Sequence, residues 1–288
     1  MAIRIVTDST SDIPEELRSE LRIEMVPLKV LFGSDTYRDS VDMTTEQFYR
    51  KLAESSTLPT TSQPSPIEFL EVYKRLTQET KDCEIISIHL SSALSGTYQS
   101  AQLAKSMYEE DGGTGITVVD SKSASYGIGI LVVAAARAAL DGQSKEQILQ
   151  LIKRMREGSR LYFLVDTLEY LQKGGRIGKA SALIGSLLNI KPILSINDEG
   201  EVYSVDKVRG HKKAVARIAE LLEDELGGSP VHMVTAHGSA PQYAEDMQVY
   251  MQNCLNTRSS SITHIGPVIG THVGPGVVAV FTARESHD

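Results

Sequence analysis

A chain of 288 residues, 41% apolar and 23% charged, can build one large or two ordinary hydrophobic cores and is not disordered in composition. Its formal charge of −8 argues against nucleic acid as a partner, because such binding rests on cationic groups displacing counterions. The two cysteines, Cys83 and Cys254, make no CxxC, no zinc-ligand spacing and no disulfide framework, so no metal site is expected and a reducing, cytoplasmic location is.

Ile3 to Val6 reads as a strand, entered without the apolar core of a signal peptide. No apolar run reaches the roughly 20 residues of a membrane helix, so no stable membrane insertion is expected. Asp12-Ile13-Pro14-Glu15 has the cap, proline and acid that start a helix. Glu84 to Leu90 is a second strand, followed by a serine- and glycine-rich turn and a helix from about Tyr98 to Tyr108. Ile116 to Val119 is a third, leading through Asp120-Ser121-Lys122-Ser123 into a helix near Gly127 to Leu140. Strands alternating with helices imply a mostly parallel sheet.

From Leu161 the texture changes. Leu161 to Val165 is a strand, Lys173 to Gly178 a cationic glycine loop, and Ala182 to Leu188 an apolar helix. Ile193 to Ile196 and Val202 to Val208 flank Asp198-Glu199-Gly200 as a hairpin. A helix at Lys213 to Glu225, a strand at Val231 to Ala236, a helix at Tyr243 to Leu255 and a strand at Val277 to Thr282 follow. The expected fold is α/β in two domains. Residues 1–160 form an N-terminal, mostly parallel sheet flanked by helices, and residues 161–288 a C-terminal α/β domain with a partly antiparallel sheet.

Three strands of the first half run into small hydroxyl residues, at Thr7 to Ser11, Ser91 to Thr97 and Asp120 to Ser123. In a parallel sheet all such carboxyl ends lie on one edge, where ligands bind; the competing reading is that these residues only cap helices. Leu94-Ser95-Gly96-Thr97 is the sharpest of the three. Its glycine permits close approach, the following helix offers free amides, and the absence of Lys and Arg suits a carboxylate better than a triphosphate. Ser65-Pro66-Ile67-Glu68 is a capping box, which leaves Thr61 and Ser62 without a capping task in a proline-stiffened loop. His272, between Gly270 and Gly274, is a third candidate, presented as a hydrogen-bonding group. Lys207, Arg209, His211, Lys212, Lys213 and Arg217, with Arg176 and Lys179, form a cationic set able to meet an acidic partner. No GxxxxGK[ST], completed GxGxxG, GxSxG or HExxH occurs, so no cofactor is expected.

Taken in order, Val6 to Ser11, Thr61 to Ser65, Ser91-Ser92 with Leu94 to Thr97, Val119 to Ser121, Lys173 to Ile177 and His272 to Gly276 make the chain resemble the DegV family of bacterial fatty-acid-binding proteins, which includes the acyl-carrying subunit of fatty acid kinase. The resemblance spans essentially the whole sequence. It implies a palmitate-like long-chain fatty acid buried between two domains and a non-catalytic role in lipid transport or fatty acid metabolism. Thr61 and Ser95 would hold the carboxylate, with Ser62, Gly96, Thr97, His272 and Gly274 around it. Arg176 and Arg209 would dock a kinase subunit that phosphorylates the presented acid. The alternatives are a stand-alone lipid carrier or sensor, and a serine hydrolase of acyl esters using Ser95 and His272.

Overall fold

The structure, a computed structural model, describes residues 2–80, 83–184 and 190–284. Its first sheet is parallel throughout, in the order β2-β1-β6-β7, from β1 (Ile3–Asp8), β2 (Glu24–Val26), β6 (Glu84–His89) and β7 (Ile116–Asp120). Both faces are covered, as parallel sheets require. Alternate residues of β6 divide between them: Ile86 and Ile88 face α5 (Tyr126–Leu140), while Ile85 packs beneath α3 (Pro66–Glu79) and α4 (Thr97–Glu110) with Phe69, Tyr73, Ala101 and Ala104.

Ser159 opens a second sheet of mixed sense, ordered β10-β9-β8-β13-β11-β12. Its strands are β8 (Ser159–Leu164), β9 (Lys191–Ile196), β10 (Val202–Val208), β11 (Val231–His237), β12 (Thr257–His264) and β13 (Val278–Arg284). Only β11 and β12 pair in parallel; the remaining neighbours are antiparallel. One face packs on α8 (His211–Leu226) and α9 (Pro241–Cys254) through Tyr162, Leu164, Ile218, Leu222 and Met247. The other turns toward α5, so Phe163, Ala279 and Phe281 join Ile86, Ile88 and Leu131 in one core running between the two sheets. The expected hairpin is present: β9 and β10 pair around Gly200, whose φ of +84° and lack of space beside the Ser91 hydroxyl both demand glycine.

Several elements lie outside the expectations. A small antiparallel sheet, β4-β3-β5, is built from β3 (Lys29–Phe32), β4 (Asp35–Arg38) and β5 (Thr60–Ser62) and packs on α2 (Thr45–Glu54). Thr61 and Ser62 therefore belong to an edge strand rather than a free loop. Helix α6 (Lys145–Gly158) starts from a capping box at Ser144 and packs beside α5. His272, read only as a residue between glycines, sits on a short helix, α10 (Pro267–Val273), and α7 (Glu169–Lys173) packs against that helix. Ser65 does form the capping box at the start of α3. Asp12 does not cap α1 (Glu15–Glu20). It adopts φ +50° and turns its carboxylate to the Gly266 amide and the Ser125 hydroxyl. The helix expected over Ala182–Leu188 falls largely outside the described residues; its described start closes a 3-10 segment at Gly178–Leu183. Among the described residues no helix is long and apolar enough to cross a membrane.

Candidate functional site

Three of the four carboxyl ends of the parallel sheet open onto one cavity of about 240 Å³. Leu28 reaches it from beyond β2, Leu90, Leu94 and Ser95 from beyond β6, and Ala124 and Ser125 from beyond β7. The facing wall is the inner surface of the mixed sheet: Leu161 and Phe163 of β8, Ile196 and Val202 of the hairpin, and Ala279 and Phe281 of β13. This is the crevice that a parallel α/β sheet creates at its carboxyl edge.

Most of the lining is apolar, and the polar side chains come from a few segments. Thr61 on β5 and His272 on α10 are hydrogen-bonded, Oγ1 to Nε2, at 2.8 Å. Ser62, Gln63, Ser95 and Arg176 line the same space. The His272 Nδ1 atom is buried without a partner among the described residues. Burial, reinforced by the nearby Arg176 charge, lowers its pKa to about 4, so the ring is neutral at neutral pH. An unpaired buried acceptor is better tolerated than an unpaired buried N–H. The favoured arrangement therefore protonates Nε2, which donates to Thr61 Oγ1 and leaves the Thr61 hydroxyl hydrogen free for a ligand oxygen.

Local backbone holds these groups in place. Ser95 Oγ accepts from the Thr97 amide at 3.3 Å and shares a hydrogen bond with Thr97 Oγ1 at 2.9 Å. Gly96 is needed for space: a Cβ there would overlap the Gln63 amide. Gly174 is needed for the same reason, since a Cβ would fall 2.4 Å from His272 Nδ1. Arg176 donates from Nε to the Leu94 carbonyl at 3.1 Å and from Nη1 to the Gly174 carbonyl at 2.6 Å. Ser125 holds φ +52° and ψ −142°, a costly conformation for a residue with a Cβ, and donates to Asp12.

The family model for DegV proteins matches residues 2–285. The chain belongs to the DegV family. It is 37% identical over 282 residues to Protein DegV of Bacillus subtilis, covering 97% of this chain and 98% of that one. A Thermus thermophilus DegV family protein, solved for its fatty acid binding, superposes with a TM-score of 0.92 at 36% identity, covering 99% of this chain and 100% of its own. A stearic acid-binding protein from Eubacterium ventriosum superposes with a TM-score of 0.89 at 26% identity, over 98% of each chain.

Of the residues singled out in this DegV chain, Thr61, Ser62, Ser95 and His272 converge on the cavity. Gly96, Thr97 and Gly274 stand behind it. Thr97 is fully buried as the first residue of α4, and Gly274, at φ +77°, lies against the Tyr170 ring. Arg176, half-buried, lines the cavity, whereas Arg209 is exposed between β10 and α8 and does not line it. Sequence reasoning did not single out Gln63, although it lies within the Thr61 to Ser65 segment, or Ser125, which carries no motif of its own. It also passed over a Ser87-His89-Asp8 array. There Ser87 Oγ meets His89 Nε2 at 2.6 Å and His89 Nδ1 meets Asp8 Oδ2 at 2.9 Å. These three are fully buried, and the i, i+2 spacing turns Ser87 and His89 to the α3 face, where Tyr73 donates to Ser87. Asp8 also accepts from the Leu90 and Thr10 amides. The array ties β1 to β6 away from the cavity. Among the described residues no cluster of His, Cys, Asp or Glu could hold a metal ion.

Proposed function

We propose that this chain binds a long-chain fatty acid, with its carboxylate at the Thr61, Ser95 and His272 end of the cavity and its acyl chain among the apolar residues between the two sheets. The observation that carries the reading is a small hydrogen-bonding cluster, Thr61, Ser95 and the neutral His272 with Arg176 beside them, set into a mostly apolar cavity. Residues 1–160 and 161–288 then act as two domains closing on the ligand from either side. Burying about fifteen methylenes at roughly 0.8 kcal/mol each is worth on the order of 12 kcal/mol gross, reduced by ordering and association costs. Affinity therefore comes from the chain, and the head-group residues fix position.

Presentation to a partner kinase is the finer part of the proposal. Arg176 already gives two donors to backbone carbonyls, which leaves the bound carboxylate only partly neutralised and its oxygen able to attack a phosphoryl group. Arg209 would contribute to docking in a reducing cytoplasm. Binding rather than ester hydrolysis is supported by the ring of His272, whose Nε2 faces Thr61 instead of Ser95 and whose Nδ1 meets no carboxylate among the described residues.

Extraction of the purified protein with organic solvent, followed by mass spectrometry, tests the reading. A stoichiometric fatty acid is expected, and undenatured protein that holds none and takes none up would sink it. The double variant Thr61→Ala with Ser95→Ala should lose roughly 2–3 kcal/mol of binding, about two ordinary hydrogen bonds. Arg209→Ala should leave retention intact and slow phosphorylation by the kinase.

A further inference from the structure

The acyl cavity ends on a wall made of side chains alone. Val277, just before β13, and Ala279 and Phe281 on it face the inner core, spaced over about 13 Å from the end nearest α10 and His272. Ala279 is small and leaves a trough; Phe281 is large and stands across it. Register places Leu161 of β8 directly opposite Phe281. Continued from the Phe163–Leu194 pair, the β8–β9 register would bring Ile196 opposite Leu161, and Ile196 in turn pairs with Val202 of β10. Phe281, Leu161, Ile196 and Val202 thus form a transverse row over four strands at the end of the cavity remote from His272.

The sheet behind this row is open. Strands β8 and β9 share a single registered pair, Phe163–Leu194, and beyond it the Leu161 carbonyl accepts from the Ser195 hydroxyl at 2.6 Å. A cleft of about 760 Å³ occupies this seam. It is lined by residues from both faces of the sheet, with Tyr162 and Glu225 on the α8 side. Leu161, Ile196 and Phe281 line the cleft and the acyl cavity alike, so their side chains separate the two.

We infer that Leu161, Ile196 and Phe281 set the maximum length of the acyl chain, and that trimming this wall lets longer acids extend through the β8–β9 seam. The inference rests on the fatty-acid reading and adds its length limit. The test loads delipidated protein with an equimolar mixture of saturated acids from 12 to 24 carbons and measures the bound profile by extraction and mass spectrometry. Leu161→Ala and Ile196→Ala should raise the bound ratio of 20-carbon to 16-carbon acid about tenfold, the effect of roughly two further buried methylenes. Ile196→Phe, which thickens the wall, should shift the profile to shorter acids and keeps the test decisive if an alanine variant fails to fold. A wild type holding acid at full occupancy, with a profile that no folded variant moves, overturns the wall. A wild type that takes up no acid of any length overturns the fatty-acid reading itself.

Discussion

His272 engages Thr61 through one nitrogen and buries the other without a partner, and the space beside that second nitrogen exists because residue 174 is glycine. Gly174 has an ordinary φ of −72°, so alanine there costs no backbone strain; the added methyl meets the imidazole and the Tyr170 carbonyl. Gly174→Ala should therefore displace His272 and weaken fatty acid binding about tenfold, an effect of about 1.4 kcal/mol, while the far-ultraviolet circular dichroism stays unchanged. Competition with a fluorescent fatty acid measures it. Equal affinity in the folded variant would show that the His272 position is not what seats the head group.

At the scale of elements, α10 depends on its surroundings. One glycine and four β-branched residues in seven positions give it little intrinsic helicity, and its start is held by the Asp12 carboxylate, with Asp39 close by. Asp12 accepts from the Gly266 amide at 3.0 Å, and Asp39 accepts from the Ser40 hydroxyl at 3.1 Å while its Oδ2 is buried without a partner among the described residues. Burial raises the Asp39 pKa to about 7 and that of Asp12 well above the usual carboxylate value, with each carboxyl adding repulsion to the group. The folded state thus holds a proton on Asp39 that the unfolded chain releases near pH 4. The stability this confers is complete below about pH 4 and is lost as pH rises through about 7. Asp39→Asn keeps a neutral group there at all pH values. Its melting temperature relative to wild type should climb between pH 4 and 7.5, and a difference independent of pH would show that Asp39 ionises normally. The histidines His272 and His237, both lowered to about 4 by burial, act in the opposite sense, so only the difference between variant and wild type isolates Asp39.

For the molecule as a whole, the cavity lies inside the core that joins the two sheets, so its occupant is part of the packing. A ligand at a hundred times its Kd stabilises the folded state by about 2.7 kcal/mol, which for a chain of this size is a rise in Tm of about 5 °C. Delipidated protein should melt lower by that amount and recover on addition of the acid, followed by differential scanning fluorimetry. No recovery with any acid from 12 to 24 carbons would mean that the core is complete without a ligand.

Much of this architecture is legible in the linear chain because it rests on local rules. Alternation of β-branched runs with helical patterns marked β1, β6, β7 and the helices after them, and the capping box at Ser65 named the start of α3. Hydroxyl residues at strand ends pointed to the edge where the cavity lies, since parallel strands put their carboxyl ends together whatever their order. Tertiary structure alone decided the rest. The sheet formed by β3, β4 and β5 consists of strands of three or four residues, too short for a periodic signal, yet it carries Thr61. Helix α10 takes its form from carboxylates more than 200 residues away in sequence. Arg176 is held at the cavity by two backbone carbonyls, and Ser87, His89 and Asp8 meet only once β1 lies beside β6. Composition and period determine which residues can form a strand, a helix or a cap. Which side chains from distant segments share one cavity, and where a wall closes it, follows from the packing of the two sheets across α5.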